Sequence, residues 1–143
     1  MLAIIVLGAC TDIENPQNER LQLEGTWKLI SATTIQEDST FTDYFEGKEM
    51  IKIINKSHFS FLNHDLNKGQ DSLASFVAGG GTYELNGHQY TEHLQFCNLR
   101  AWEGHDFTFS IQISNDTLIQ KGEEEIEELG VKQQILETYV RLK

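Results

Sequence analysis

Apolar and polar residues alternate along much of this chain, most cleanly in Phe107-Thr108-Phe109-Ser110-Ile111-Gln112-Ile113. Period-two alternation marks a strand with one face buried. Tyr83-Glu84-Leu85-Asn86-Gly87-His88-Gln89-Tyr90 reads as a hairpin, because Asn-Gly supplies the positive φ angles of a type I′ turn. Asn115-Asp116 marks a second turn, ahead of Thr117-Leu118-Ile119-Gln120. Between Met50 and Leu62 the loop length decides the register. A two-residue loop would set His58 opposite Ile53 and split the apolar residues between faces. A three-residue loop, Asn55-Lys56-Ser57, pairs Ile53 with Phe59 and Ile51 with Phe61. Since a one-residue slip inverts every side chain, the three-residue loop is the expectation.

Two segments break the alternation. Asp71 to Ala78 suits a short helical turn, capped by Asp71 or Ser72 and packing Leu73, Phe76 and Val77. Glu123 to Leu129, bounded by Gly122 and Gly130, reads as a helical or mobile excursion with a solvated acidic face. Eight strands of about six residues, with loops of about four to six, fit the 143-residue length. The expected fold is all-β: an eight-stranded antiparallel up-and-down barrel with one or two short helical turns.

Charge narrows the partners. The 11 basic and 22 acidic residues give a net charge of −11, which repels phosphate backbones and argues against nucleic acid. The first residues differ in kind. Leu2 to Leu7 is apolar, and Leu7-Gly8-Ala9-Cys10 matches a bacterial lipobox, in which small residues precede a cysteine that becomes acylated. The chain therefore divides into a lipoprotein signal peptide (1–9), a polar tether after the lipidated Cys10 (10–20) and a barrel domain (21–143). Attachment to a bacterial cell-envelope membrane through Cys10 follows, the outer membrane being the expected site. Cys97 is the other cysteine, so a lipidated Cys10 leaves it no disulfide partner.

Alternation around Asn86-Gly87 sets Tyr83, Leu85, His88, Tyr90, Glu92, Leu94 and Phe96 on one, mainly apolar, face. That face should line the interior. Glu92 then points inward and needs a partner, because an unpaired buried carboxylate costs several kcal/mol. Tyr83, Tyr90 and Arg141 are the candidates. A bulge at Gly79-Gly80-Gly81 would reverse the facing of the residues before it. The interior offers Trp27, Ile53, Phe59, Phe61, Tyr83, Tyr90, Phe107 and Phe109 as an apolar lining. The histidines lack metal-ligand spacing: His93 and Cys97 share a face but lie about 13 Å apart at 3.3 Å per residue, and no Cys-x-x-Cys or His-Glu-x-x-His occurs. Nothing resembles a nucleophile elbow or a P-loop. The expectation is a binding protein without cofactor or metal, not an enzyme.

Gly25-Thr26-Trp27-Lys28-Leu29 opens the barrel region, and Thr138-Tyr139-Val140-Arg141-Leu142 ends it. A Gly-x-Trp on the first strand with an arginine on the last resembles the closure of calycin barrels. That resemblance implies that Gly25, Trp27 and Arg141 close the barrel, Trp27 plugging one end and Arg141 stacking on the indole. With Lys56-Ser57-His58-Phe59, Ala78-Gly79-Gly80-Gly81-Thr82-Tyr83 and Tyr90-Thr91-Glu92-His93, the stretch from Leu23 to Leu142 resembles the bacterial lipocalin-like lipoproteins. Gly25-Thr26-Trp27-Lys28-Leu29 and Asp43-Tyr44-Phe45 are also similar to the opening of fatty-acid-binding proteins. Those hold a ligand carboxylate with an arginine and then a tyrosine, an order reversed here in Tyr139 and Arg141. The combined expectation is a lipid-anchored barrel binding a small apolar ligand with Tyr83, Tyr90, Glu92, Phe59, Phe61, Phe107 and Phe109. One rival is a packed barrel serving as a structural or interaction module of the envelope. Another is metal or haem binding through histidine.

Overall fold

The computed structural model describes residues 21–143. Cys10, the expected signal peptide and the expected tether lie outside the described residues. The strands are β1 (Gly25–Gln36), β2 (Ser39–Asp43), β3 (Lys48–Ile54), β4 (His58–Asp65), β5 (Phe76–Asn86), β6 (Gln89–Cys97), β7 (His105–Ser114), β8 (Thr117–Ile126) and β9 (Val131–Arg141). Each strand from β3 to β9 pairs antiparallel with the next, β1 pairs with β3, and β9 returns to β1. Eight strands thus close an antiparallel barrel, which leaves those strands no open edges. The ninth, β2, continues the edge that β3 takes on the lower half of β1: Ala32 to Gln36 pair with Asp43 to Ser39. Turns of 3₁₀ helix at Arg100–Trp102 and Glu127–Leu129 are the only helical elements among the described residues.

Two hairpins differ from the sequence expectation, in opposite ways. At β5–β6, Asn86 pairs with Gln89 and Leu85 with Tyr90, so the loop is Gly87-His88 and Gly87 supplies the positive φ of 61°. This is a two-position shift, and an even shift keeps Tyr83, Leu85, Tyr90, Glu92 and Leu94 on their expected face, while His88 moves into the exposed loop. At β3–β4, Ile54 pairs with Phe59 and Ile53 with Ser60, a one-position shift that turns β3 over. Ile53 is exposed, and Lys52 is buried in its place. The cause is local. The Asn55 side chain accepts the backbone N–H groups of Ser57 (2.9 Å) and His58 (2.8 Å), an Asx turn that shortens the loop to Lys56-Ser57.

Irregularities in the ladders also re-aim side chains. Gly81 pairs with Leu94 but Gly80 with Phe96, so Gln95 is an extra residue on β6. Phe96 therefore points out, 68 % exposed, and Cys97 points in. His93 and Cys97 end on opposite faces, not on the shared face expected. Gly81 permits the close passage, since a Cβ there would run into the His93 carbonyl. The expected helical turn at Asp71–Ala78 is instead an Asp71-capped bend leading into β5, with Leu73 and Phe76 exposed. The expected acidic excursion is mostly strand: β8 runs through Ile126, with Glu124 on its inner face beside Gln133 of β9.

Candidate functional site

One end of the barrel is sealed by Trp27, Leu29, Ile54, Phe59, Ile111, Leu118 and Tyr139, all almost fully buried. Trp27 donates its indole N–H to the Leu23 carbonyl at 2.8 Å, tying the entering chain across the opening. The Arg141 guanidinium carbon lies 4.0 Å from the Trp27 ring centroid, and the group donates to the carbonyls of Glu24 and Gln22. Gly25 has a φ of 142°, and a Cβ there would press on Arg141. This end is a floor.

Above it stands a polar group for which an apolar lining gave no warning. Lys52, adjacent to Trp27 in the β1–β3 ladder, sends its ammonium inward. Its Nζ donates to Glu92 Oε1 of β6 at 2.7 Å and to Gln120 Oε1 of β8 at 3.2 Å. The rings of Phe59, Tyr90 and Tyr139 surround it, with centroids 5.9, 5.9 and 5.3 Å away. One cation of β3 thus meets side chains of β4, β6, β8 and β9 in the middle of the barrel. Aromatic faces and a carboxylate together offset the desolvation of the ammonium.

Two further carboxylates face the same interior. Glu137 of β9 pairs in the ladder with Gln120 and Ala32, and accepts the Tyr139 hydroxyl at 2.7 Å. Glu124 accepts a hydrogen bond from Gln133 at 2.8 Å. Burial raises both carboxyls above the usual range. At Glu137 this is opposed by the Lys52 charge and the Tyr139 hydrogen bond, and at Glu124 by the Gln133 hydrogen bond. Both lie deep within the wall yet keep part of their surface out of contact, as do Ala32, Thr34, Met50 and Phe61 on the same inner face. Side chains lining an interior space behave in this way. Gln133 also borders a rim cleft of about 380 Å³, with Ile35, Gln36 and Lys132.

Of the residues singled out from sequence, Tyr90, Glu92, Phe59, Phe107 and Phe109 are buried inside the barrel, with Phe61 and Tyr83 half-buried on the same inner face. Tyr83 and Tyr90 stack obliquely at 5.3 Å, while the Tyr83 hydroxyl donates to the Asn55 carbonyl at 2.7 Å. Glu92 takes Lys52 as its charged partner, whereas Arg141 lies over Trp27. Burial, then the Glu92 charge, pushes the Tyr90 hydroxyl far above its ordinary range. His93 lies outside, bonded to Asp106 at 2.7 Å, and its pKa is raised by that hydrogen bond. Among the described residues no three His, Cys, Asp or Glu side chains gather as a metal site.

Lys52, Gln120, Glu124, Glu137 and Tyr139 escaped the sequence reading. For three of them a signal existed. Counting back by twos from Arg141 sets Tyr139 and Glu137 on its face, and counting forward from Leu118 does the same for Gln120.

Residues 23–119, more than half of the chain, match the family described as the lipocalin-like domain. The chain belongs to that family. No curated protein matches it. For this lipocalin-like barrel the matched span takes in Trp27, Lys52 and Glu92, whereas Gln120, Glu124, Glu137, Tyr139 and Arg141 follow it. Closed barrels of this size either fill with side chains or hold one small ligand.

Proposed function

We propose that this protein is a non-enzymatic binding protein that holds a small amphipathic molecule in its barrel. The apolar body of the ligand lies against Phe61, Met50 and neighbouring inner-face residues, and its polar end reaches the central group. One observation carries the reading: the Lys52–Glu92–Gln120 group sits above a sealed floor and beside inward side chains that retain uncovered surface. Polar groups converging in a mainly apolar enclosure fix the orientation of a ligand. Native mass spectrometry of gently purified protein tests it. A bound small molecule, lost on Lys52→Met/Glu92→Met replacement in a still-folded barrel, is the expected result, and a uniformly empty barrel refutes it.

The same reading places the protein at a bacterial cell-envelope membrane, anchored by acyl chains on Cys10. The lipobox pattern supports this, and two acyl chains bury enough methylene groups, at about 0.8 kcal/mol each, for stable attachment. Replacing Cys10 with serine is expected to move the protein to the soluble fraction.

A second reading, an envelope interaction module, is favoured by the outward Phe41, Tyr44, Leu73, Phe76 and Phe96. Apolar side chains exposed as one contiguous patch mark contact surfaces. An empty barrel together with a partner lost on Phe76→Ser or Phe96→Ser would favour it.

A further inference from the structure

The interior is unbalanced in charge. Three carboxylates, Glu92, Glu124 and Glu137, face one ammonium, Lys52, and Glu92 holds that ammonium at 2.7 Å. Glu137 has a tyrosine hydroxyl and Glu124 a side-chain amide, both neutral donors. Beside them the Tyr90 hydroxyl is fully buried, with no hydrogen-bond partner among the described residues. It lies close to the Glu92 carboxylate without meeting it in hydrogen-bond geometry. A buried hydroxyl outside the hydrogen-bond network is costly, and its oxygen is placed to accept from a donor that reaches the interior.

Resting on the ligand-binding reading above, we propose that the ligand is a cation: an ammonium or amidinium group on an apolar body. Glu137 and Glu124 take its charge, and the Tyr90 hydroxyl accepts one of its N–H groups. The surroundings already solvate one positive charge, since Phe59, Tyr90 and Tyr139 present their rings to Lys52. A ligand carboxylate fares worse. It would have to displace Glu92 from Lys52 and then face Glu137 and Glu124 at close range. An uncharged ligand leaves both carboxylates without a counter-charge other than protons. A cation supplies what the barrel lacks, and it enters as the guest rather than as a residue.

The test is isothermal titration of the full chain at neutral pH with straight-chain alkylammonium ions, butyl to dodecyl, and with the matching alcohols and carboxylates. The ammonium series is expected to bind at least roughly tenfold more tightly than the alcohols, with the carboxylates weakest. Glu137→Gln is expected to erase most of the preference for ammonium ions over alcohols, and Glu124→Gln is the second variant should Glu137→Gln misfold. Melting temperatures recorded alongside separate lost recognition from lost folding. Alcohols or carboxylates binding as tightly as ammonium ions, or a preference untouched in both folded variants, overturns the cation inference and leaves the ligand-binding barrel standing. If none of the three series binds, both are overturned.

Discussion

Two cations flank the same tryptophan in the strand ladder, and the barrel treats them differently. Arg141 pairs with Trp27 across β1–β9, and Lys52 pairs with it across β1–β3. Arg141 covers the indole from the rim, its side chain 21 % exposed, and hydrogen-bonds to backbone carbonyls. Lys52 runs inward, its side chain 3 % exposed, and needs a carboxylate, an amide and three aromatic rings. A planar, weakly hydrated guanidinium suits a half-exposed lid. A buried ammonium is tolerated only inside a network that satisfies it. The sealed floor is therefore stabilised mainly by packing, whereas the centre is held by a charge arrangement.

The comparison predicts unequal responses to substitution. Trp27→Ala removes the largest fully buried side chain and is expected to cost about 3–5 kcal/mol in urea unfolding. If it costs less than about 1 kcal/mol, the floor is not the packed element described here. Lys52→Met alone strands Glu92 and is expected to cost about 3 kcal/mol or more, but Lys52→Met with Glu92→Met should recover most of that loss. A double variant as unstable as the single one would show that packing around Lys52, rather than charge, dominates the centre. Arg141→Lys keeps the charge yet loses the flat stack and a fork of donors, for an expected cost of about 1 kcal/mol in the same assay.

The smallest effect concerns pH. Glu137 and Glu124 have folded-state pKa values raised by burial, so they destabilise the fold as pH rises from the ordinary glutamate range through those raised values. The groups facing them are Lys52, Glu92, Tyr90 and Tyr139. His93 acts in the same direction, because its raised pKa gives stability below the ordinary histidine value that fades as pH climbs through the folded one. Asp43, Asp65 and Asp116 act oppositely: their lowered values give stability that is lost as pH falls through them. Melting temperature is thus expected to peak in mildly acid solution and decline toward neutrality. Glu137→Gln should flatten the decline, and an unchanged slope would remove Glu137 from the account.

How much of this was legible in sequence depended on whether the deciding interaction was local. The barrel, its strand count and the inward Glu92 followed from alternation, and they survived a mistaken turn because the β5–β6 shift was even. The β3–β4 register did not survive. Counting apolar residues favoured Ile53 inward, yet an Asx turn at Asn55 set the loop, and Glu92, forty positions away, gave Lys52 a reason to be inside. The reversal at Phe96 came from one inserted residue opposite Gly80 and Gly81. The glycine run pointed to a bulge there but not to the strand that would carry it. Glu124 was hidden within its own acidic run, since alternating in-and-out glutamates look the same in sequence as a solvated stretch.

The seam between β1 and β9 also bears on how the chain reaches this state. The bond from Arg141 to the Glu24 carbonyl joins residues 117 positions apart, and β9 follows every other strand in chain order. Until β9 docks, β1 keeps an unpaired edge and Trp27 lacks its cover. Contacts this distant in sequence slow folding, because the entropy of closing the loop is lost before the contact forms. Before that docking the barrel is an open sheet with a sticky first strand, and its vulnerable interval ends only when its final strand closes the seam.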